Sequence, residues 1–253
     1  MARKHSSQAG VTRQGRLRLW RVGPFRLTTP RTEVVVGDCG ARLLALLALR
    51  DGRITRCGTA GTLWPETSDD HAQGSLRSAL RRLPGPARLA VDVTGHDLSL
   101  ASDVEVDLHE HRSLAFRLLD PTCPTRAVDL NGEAMRQLSG DLLPDWYEDW
   151  IRPEAAAWRQ LRVHALEALA ARLVQTRRFG EAATAATVAV RADPLRESAR
   201  AALVRVYLAE GNQSDALEEF HRYRRLIRAE LDLEPTPLLG DLVRDLGPAA
   251  AAS

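Results

Sequence analysis

Lysine is almost absent from this chain of 253 residues: Lys4 is the single lysine, and the other 34 basic residues are arginines. The planar guanidinium of arginine suits phosphates and guanine edges, so the bias agrees with a nucleic-acid partner. A GC-rich coding sequence would produce the same bias, and arginine dominates equally where the chain is acidic. The scarcity of lysine alone therefore identifies no partner.

Cysteines and long apolar runs are also scarce. Cys39, Cys57 and Cys123 are widely spaced and form no CxxC pair, which fits neither a disulfide framework nor a zinc knuckle, so we expect three reduced thiols. No stretch approaches the roughly 20 apolar residues of a membrane span. Residues 1–16 are basic and polar without an apolar core, so we expect no signal peptide, no membrane anchor and a cytoplasmic protein.

Positive charge is concentrated at the front of the chain. The first 90 residues hold 16 Lys and Arg against 6 Asp and Glu, whereas the remaining 163 residues hold 19 against 27. Such asymmetry indicates two modules, a basic one attracted to a polyanion and an acidic one that faces protein or solvent. Nucleic acid is the expected partner of the front module.

The front module begins with short strands and helices. Apolar and polar residues alternate around a Gly23-Pro24 turn, and a β-branched run follows, which predicts a small antiparallel sheet. A helix that is apolar nearly all round is expected to be buried, and a threonine is placed to cap the next helix. The predicted elements are strands at 17–22, 25–28 and 33–36 and helices at 40–50 and from Thr55 to Trp64.

A third helix, from Asp69 to about Leu83, carries the strongest functional signal. Its apolar residues fall on one face, and small residues and arginines fall on the opposite face. Small residues permit close approach and arginines reach phosphates or base edges, as a recognition helix in a major groove requires. The alternative is a solvated face that binds nothing. The apolar face holds Ala72, Leu76, Ala79, Leu80 and Leu83, and the opposite face holds Gly74, Ser78 and Arg81, flanked by His71, Arg77 and Arg82.

A hairpin follows this helix, because residues 88–101 alternate in strand fashion around Thr94-Gly95. The order sheet, helix, helix, basic helix and hairpin is the winged helix-turn-helix arrangement of the effector domains of bacterial two-component response regulators. The sequence therefore predicts a winged helix-turn-helix DNA-binding module at the front.

The back module is predicted to be helical. A helix over 106–120 is expected to begin at an Asp107 cap, and another lies near 127–138. Trp146 and Trp150 are four residues apart and could share one helix face as packing anchors.

A self-similarity of 34 residues follows, which is the tetratricopeptide period of two antiparallel helices per unit. It aligns Leu169 with Leu203, Leu173 with Tyr207 and Ala182 with Ala216, and helix starts are expected at Asp193-Pro194, Ser214 and Thr236-Pro237. The predicted fold is mostly α with a small β component, a winged helix-turn-helix followed by an all-α tetratricopeptide-like repeat.

Other chemistry finds little support. His109, Glu110 and His111 form an HEH cluster, but ligands two apart share a face only on a strand, and no third ligand lies at a recognised spacing. No G-x-S-x-G and no phosphate-binding GxxxxGK[ST] loop occurs. We expect no enzyme, no metal site and no cofactor.

Longer motifs resemble one family of bacterial regulators. LLPDWYEDWI, RQLRVHALEAL, DPLRESARAALVRVYLAEGNQSDAL and FHRYRRLIRAELDLEPTP are similar to the bacterial transcriptional activator domain. Preceded by TLWPE, SLRSALRRL and DVEVDLHEH, they resemble the Streptomyces antibiotic regulatory proteins, or SARPs, over about residues 17–246. The resemblance implies a disordered basic tail at 1–16, a winged helix at 17–104 and an activator domain at 105–250.

The family's function follows as an expectation. The resemblance implies an activator that binds short direct repeats of double-stranded DNA upstream of a promoter, often as a pair, and recruits RNA polymerase through its sigma and alpha subunits. It implies control of a biosynthetic cluster for a secondary metabolite such as an antibiotic. Larger relatives add an ATPase module after about residue 250, so the small, stand-alone class is expected. The predicted DNA contacts are His71, Gly74, Arg77, Ser78, Arg81 and Arg82 on the recognition helix and Gly95 and His96 on the wing.

Two features depart from the family pattern. Gly58 and Gly61 would each cost roughly 1 kcal/mol in a helix interior, so we expect the second helix to be short or frayed. Gly74 weakens the recognition helix by a similar amount, which implies either a close approach of DNA there or a helix that is marginal until it binds.

Two other functions stay open. The chain could be an adaptor built on the helical repeat whose winged helix has lost DNA binding, or a repressor that uses the same DNA contacts. Retention of Arg77, Arg81 and Arg82 favours the DNA reader over the adaptor.

Overall fold

The computed structural model describes residues 17–50, 52–124 and 126–246, and the chain divides into two compact units. The first unit comprises the residues up to Arg21 together with Phe25–Asp107, and the second comprises Val22–Pro24 together with the chain from Leu108 onward. The predicted tail at 1–16 and the last four residues of the predicted activator domain lie outside the described residues.

The described residues form six short strands and eleven α-helices, which make the protein mostly helical, with its sheets in the first unit. The strands are β1 (Arg18–Trp20), β2 (Arg26–Thr28), β3 (Ile54–Thr55), β4 (Val91–Thr94), β5 (Asp97–Leu100) and β6 (Glu105–Val106). The helices are α1 (Asp38–Leu49), α2 (Arg56–Leu63), α3 (Asp69–Arg82), α4 (Gly85–Leu89), α5 (Asp107–Leu119), α6 (Gly132–Ser139), α7 (Arg152–Gln175), α8 (Phe179–Ala192), α9 (Glu197–Glu210), α10 (Gln213–Leu231) and α11 (Pro237–Val243). A winged helix-turn-helix is thus followed by a helical repeat, and the predicted fold class is confirmed.

The first sheet differs from the predicted one in its third strand. β1 pairs with β2 antiparallel as expected, but its other neighbour is β6, which runs parallel to it. The predicted strand at 33–36 is wrong: Glu33 makes an isolated bridge with Thr28, and Val35 is 89% exposed. A β-branched run has little reason to form a strand without a surface to pack against. The inward face of the sheet is Leu19, Leu27 and Val106, all buried.

The hydrophobic centre of the first unit is α1. Every residue from Leu43 to Leu49 is buried, as the apolar pattern predicted, and the helix begins two residues before its predicted start. The second sheet has the order β3-β5-β4 and contains the predicted hairpin. The start of that hairpin was predicted wrongly, because residues 85–89 form α4. Pro86 presets helical φ in the first turn of α4, the extended Pro84 precedes the helix as its N-cap, and Ala87 is fully buried.

The first part of the second unit contains one confirmed helix and two corrections. The helix α5 begins at Asp107 as predicted, and both carboxylate oxygens of Asp107 accept the backbone N–H of Arg21 at 2.9 Å. The predicted helix near 127–138 is a 3-10 turn at Ala127–Leu130 followed by α6. Asn131 separates the two, because its side-chain oxygen caps α6 by accepting the N–H of Ala134 at 2.9 Å.

Trp146 and Trp150 do not share a helix face, which corrects the prediction. Residues 141–151 form turns between α6 and α7, and both indoles are half-buried there. Leu143, with φ at 44°, reverses the chain in this segment and is itself buried. Two residues four apart share a face only on a continuous helix, and residues 146–150 form none.

The repeat of 34 residues is confirmed as two helical hairpins, α7 with α8 and α9 with α10, closed by α11. The aligned pairs Leu169 and Leu203, and Ala182 and Ala216, are buried in both copies. Two predicted helix starts are wrong, since α9 begins at Glu197, beyond a turn at Asp193-Pro194, and Ser214 lies inside α10. Thr236 stands at the N-cap of α11 with Pro237 following it, as predicted. No helix among the described residues is both long and apolar enough for a bilayer.

Candidate nucleic-acid interface

Two short helices and the turn between them present the candidate DNA-binding surface. α2 begins where the hydroxyl of Thr55 accepts the N–H of Gly58 at 3.0 Å, the N-cap that the sequence predicted. It is eight residues long, so the expected short helix is confirmed, and Trp64 is its C-cap. The hydroxyl of Thr67 then donates to the carbonyl of Trp64 at 3.1 Å, and this turn leads into α3.

The orientation of α3 is set by its apolar face. Ala72, Leu76, Ala79 and Leu83 are at most 4% exposed, and Leu80 is half-buried, so the predicted buried face is confirmed. Burying a side chain such as that of Leu76 contributes roughly 1.5–3 kcal/mol, which opposes any rotation of the helix about its axis. The opposite face is therefore held toward solvent.

That opposite face carries three arginines without ion-pair partners among the described residues. Arg77, Arg81 and Arg82 are exposed, and none of them makes an ion pair with a residue that the structure describes. In the second unit, by contrast, ion pairs occupy many arginines, among them Arg178 with Glu181 and Arg200 with Glu219. An unpaired guanidinium keeps all its donors for an incoming phosphate or base, so the unpaired arginines of α3 matter more than the total charge of the module.

An open groove of about 730 Å³ runs along one side of α3. Four predicted contact residues line it together: His71, Gly74, Ser78 and Arg82. Its opposite wall is the start of α1 at Gly37–Gly40 with Trp64 beside it. Arg77 and Arg81 do not line the groove; they project from the other side of the same exposed face.

Two details position side chains at the ends of α3. The hydroxyl of Ser68, at the N-cap, is hydrogen-bonded to Nδ1 of His71 at 2.8 Å, which leaves Nε2 for a second partner. At the other end, the guanidinium of Arg88 donates to the backbone carbonyls of Arg81 and Leu83. Arg88 thus binds the last turn of α3, whose final carbonyls have no partner within the helix. Sequence reasoning missed both contacts, because neither leaves a motif.

The wing presents backbone and one imidazole rather than arginines. Gly95, with φ at 60°, makes the hairpin turn between β4 and β5, and both Gly95 and His96 are exposed. The carbonyl of His96 accepts the N–H of Arg56 at 2.8 Å, which ties the turn to the start of α2. Residues 89–101 contain no arginine or lysine and two aspartates, so the wing has little attraction for phosphates.

Part of the front module's positive charge lies elsewhere. The guanidinium groups of Arg18 and Arg26 lie over the ring of Trp20, 4.4 and 5.1 Å from its centroid. These are cation-π contacts on β1 and β2, so both arginines contribute to the sheet surface rather than to the helix that the charge split was expected to serve.

The HEH cluster is dispersed by its helix. On α5, His109 and Glu110 are exposed, whereas His111 is 6% exposed with its ring 6.2 Å from that of Trp158. Within the described part of the chain, no three His, Cys, Asp or Glu side chains are grouped as metal ligands would be.

Comparisons with known proteins agree with this architecture. The family model described as the bacterial transcriptional activator domain matches residues 104–246. The regulatory protein AfsR of Streptomyces griseus is 29% identical over 244 residues, and that of Streptomyces coelicolor is 30% identical over 244 residues. These alignments cover 89% and 90% of this chain and 24% of each relative, so the chain spans about a quarter of their length.

A solved structure shares the fold. Mycobacterium tuberculosis EmbR, determined in complex with a low-affinity phosphopeptide, superposes with a TM-score of 0.72 at 22% identity. The match covers 91% of this chain and 65% of that one, which extends the fold similarity to both units.

Proposed function

Because the chain belongs to the bacterial transcriptional activator domain family, we propose that it is a sequence-specific DNA-binding activator that recruits RNA polymerase. In this proposal α3 enters the major groove of an upstream direct repeat, two copies bind side by side, and the helical repeat contacts polymerase through its sigma and alpha subunits. The winged helix (17–104) reads DNA and the activator domain (105–250) contacts protein.

One observation carries the DNA-binding half of the proposal. A helix anchored on one face by buried apolar residues presents Arg77, Arg81 and Arg82 on its other face without partners in the described structure. Three exposed, unpaired cations on one helix face repel one another unless an anion is present, and the phosphates of duplex DNA supply such anions.

The proposal extends to the biological setting. Similarity to two Streptomyces regulators supports control of a secondary-metabolite cluster, of the kind that makes an antibiotic, in the bacterial cytoplasm and on the nucleoid. Their greater length means that the activities of the whole relatives are not carried over to this chain.

Salt dependence of DNA binding tests the first half. If each of the three arginines neutralises one phosphate, the logarithm of the association constant should fall with the logarithm of salt concentration with a slope of about −3 per bound chain. The triple variant R77A/R81A/R82A should flatten the slope toward zero. The control R136A/R178A/R244A removes three exposed arginines that are ion-paired in the second unit, and it should retain the slope. Equal flattening in both variants would refute the assignment to α3.

In vitro transcription tests the second half. With holoenzyme and a promoter that carries the selected repeat, the full chain should raise transcript yield and protect DNA just upstream of or over the −35 element. Protection over the start site with a fall in yield would establish the repressor instead. Retention of polymerase binding by a chain that shows no DNA preference would establish the adaptor.

A further inference from the structure

The first turn of α3 carries a negative charge in the middle of the candidate DNA-binding face. Asp70 precedes Gly74, Arg77 and Arg81 by four, seven and eleven residues, so all four lie within about 60° of one another around the helix. Asp70 is exposed and lines the same groove as Gly74. It makes no ion pair with any residue in the described part of the chain.

This carboxylate needs an explanation, because it faces a polyanion if the proposed function holds. A negative charge in the first turn of a helix interacts favourably with the positive end of the helix dipole, but Asp69 already supplies such a charge. Asp69 lies 100° away around the helix, on the side of the buried Leu76 rather than of Arg81. The helix dipole favours both first-turn carboxylates whichever side of the helix they lie on, so it does not explain why Asp70 lies on the side of Arg81.

Base recognition accounts for that position. The N-terminal residues of a recognition helix contact base edges, and a carboxylate can accept only from a base that presents an amino group in the major groove. In cytosine the amino group N4 is flanked on one side by an acceptor, O6 of the paired guanine. In adenine, N6 is flanked on both sides by acceptors, N7 and the O4 of thymine, which repel the second carboxylate oxygen.

Space at the site permits this contact. A Cβ placed on Gly74 would meet only the guanidinium of Arg77, at 3.7 Å, so one turn after Asp70 the helix surface is open. A base edge can approach the backbone there and come within reach of the short aspartate side chain.

We propose that Asp70 is a specificity-determining residue that accepts a hydrogen bond from N4 of a cytosine in each half-site. The inference rests on the proposed function and adds to it: the arginines supply affinity, while this carboxylate penalises every base that presents no amino group. Asp70 thus lowers affinity for random DNA and raises the preference for one sequence.

Selection from a random duplex pool tests the proposal with the full chain and the variants D70A, D70N and D69A. The wild-type motif should contain a cytosine that becomes degenerate in D70A and becomes adenine in D70N, because asparagine pairs with N6 and N7 of adenine. D69A loses the same first-turn charge and should retain the cytosine. Replacing this cytosine by thymine should weaken wild-type binding by roughly 5- to 150-fold and D70A binding by less than about twofold.

The outcomes separate this inference from the proposed function. A wild-type motif that D70A selects unchanged overturns the role of Asp70 and leaves the DNA-binding function intact. Loss of the same position in D69A also overturns it, because the effect would then come from the helix terminus. If the wild-type chain enriches no motif at all, the proposed function and the role of Asp70 are both refuted.

Discussion

Replacing Gly74 by alanine should raise the stability of the first unit. Glycine inside a helix costs roughly 0.5–1 kcal/mol relative to alanine, and Gly74 lies in the middle of α3. A Cβ there meets no backbone and lies 3.7 Å from one flexible guanidinium, an ordinary van der Waals contact. The substitution therefore fits the folded protein, and the free energy of unfolding should rise by up to about 1 kcal/mol.

The same substitution should weaken DNA binding. If a base edge approaches the backbone at Gly74, the added methyl group occupies space that the DNA requires. Overfilling a packed contact costs typically 1–3 kcal/mol, which corresponds to a loss of affinity of roughly 5- to 150-fold. Stability and affinity should thus change in opposite directions, which a general loosening of the fold cannot produce.

Gly61 on α2 provides the matched control. A Cβ on Gly61 meets nothing within 4 Å, and Gly61 is exposed, so G61A should stabilise the unit by a similar amount. It should leave the affinity for the selected repeat within about twofold. Denaturant unfolding measures the stability, and fluorescence anisotropy with a labelled duplex measures the affinity. If G74A binds DNA as tightly as G61A does, the close approach at Gly74 is refuted and its presence in α3 requires another cause.

Three further perturbations have defined outcomes. R81A should cost roughly 1–3 kcal/mol of binding to the selected repeat and less on random DNA if Arg81 reads a base, and a gel-shift comparison that finds equal losses would make it a phosphate contact. R200A should lower the free energy of unfolding by roughly 1.5–3 kcal/mol, because it removes a buried, charge-assisted hydrogen bond to Glu219, which keeps its second partner Arg222. R178A removes an exposed pair and should lower the stability far less in the same denaturant titration, so similar losses in the two variants would contradict this reasoning. The hydrogen bond from Arg178 lowers the pKa of Glu181 below its ordinary value of 4.5. The pair therefore stabilises the fold above that pH, and its contribution is lost as the pH falls through the lowered pKa. The stability difference between wild type and R178A should vanish in strong acid, and a difference that persists there would show that the pair does not act through this carboxylate.

Local periodicity predicted the elements that position the site. The apolar residues of α3 recur every three or four positions, and a helix that buries them has one possible orientation. Spacing alone therefore predicts that Arg81 and Gly74 lie on the opposite face. The cap at Thr55 is equally local, because its hydroxyl reaches a backbone N–H only three residues away. Such features need no knowledge of the rest of the fold.

Contacts between residues far apart in the chain could not be predicted from the sequence. The run at 33–36 has the composition of a strand, yet β6, more than 70 residues later, occupies the sheet position beside β1. Nothing in a two-residue strand distinguishes it beforehand from a loop. Whether an arginine is ion-paired could not be predicted for the same reason. Composition gives Arg81 and Arg200 the same charge, and only the folded structure shows that Arg200 forms an ion pair with Glu219.

The point where the first unit ends affects every experiment on a fragment. A cut at the predicted boundary, after residue 104, removes Glu105 and Val106, which form β6, and Asp107, whose carboxylate accepts the N–H of Arg21. That N–H is buried, and loss of its partner would cost roughly 1–3 kcal/mol beyond the loss of the strand. A fragment that ends at 104 and fails to bind DNA would therefore report an incomplete sheet rather than a role of the helical repeat in DNA binding. Comparison with a fragment that ends at residue 119, after α5, separates the two explanations: recovery of binding in the longer fragment would assign the defect to the missing strand and carboxylate, and continued failure would assign it to the repeat.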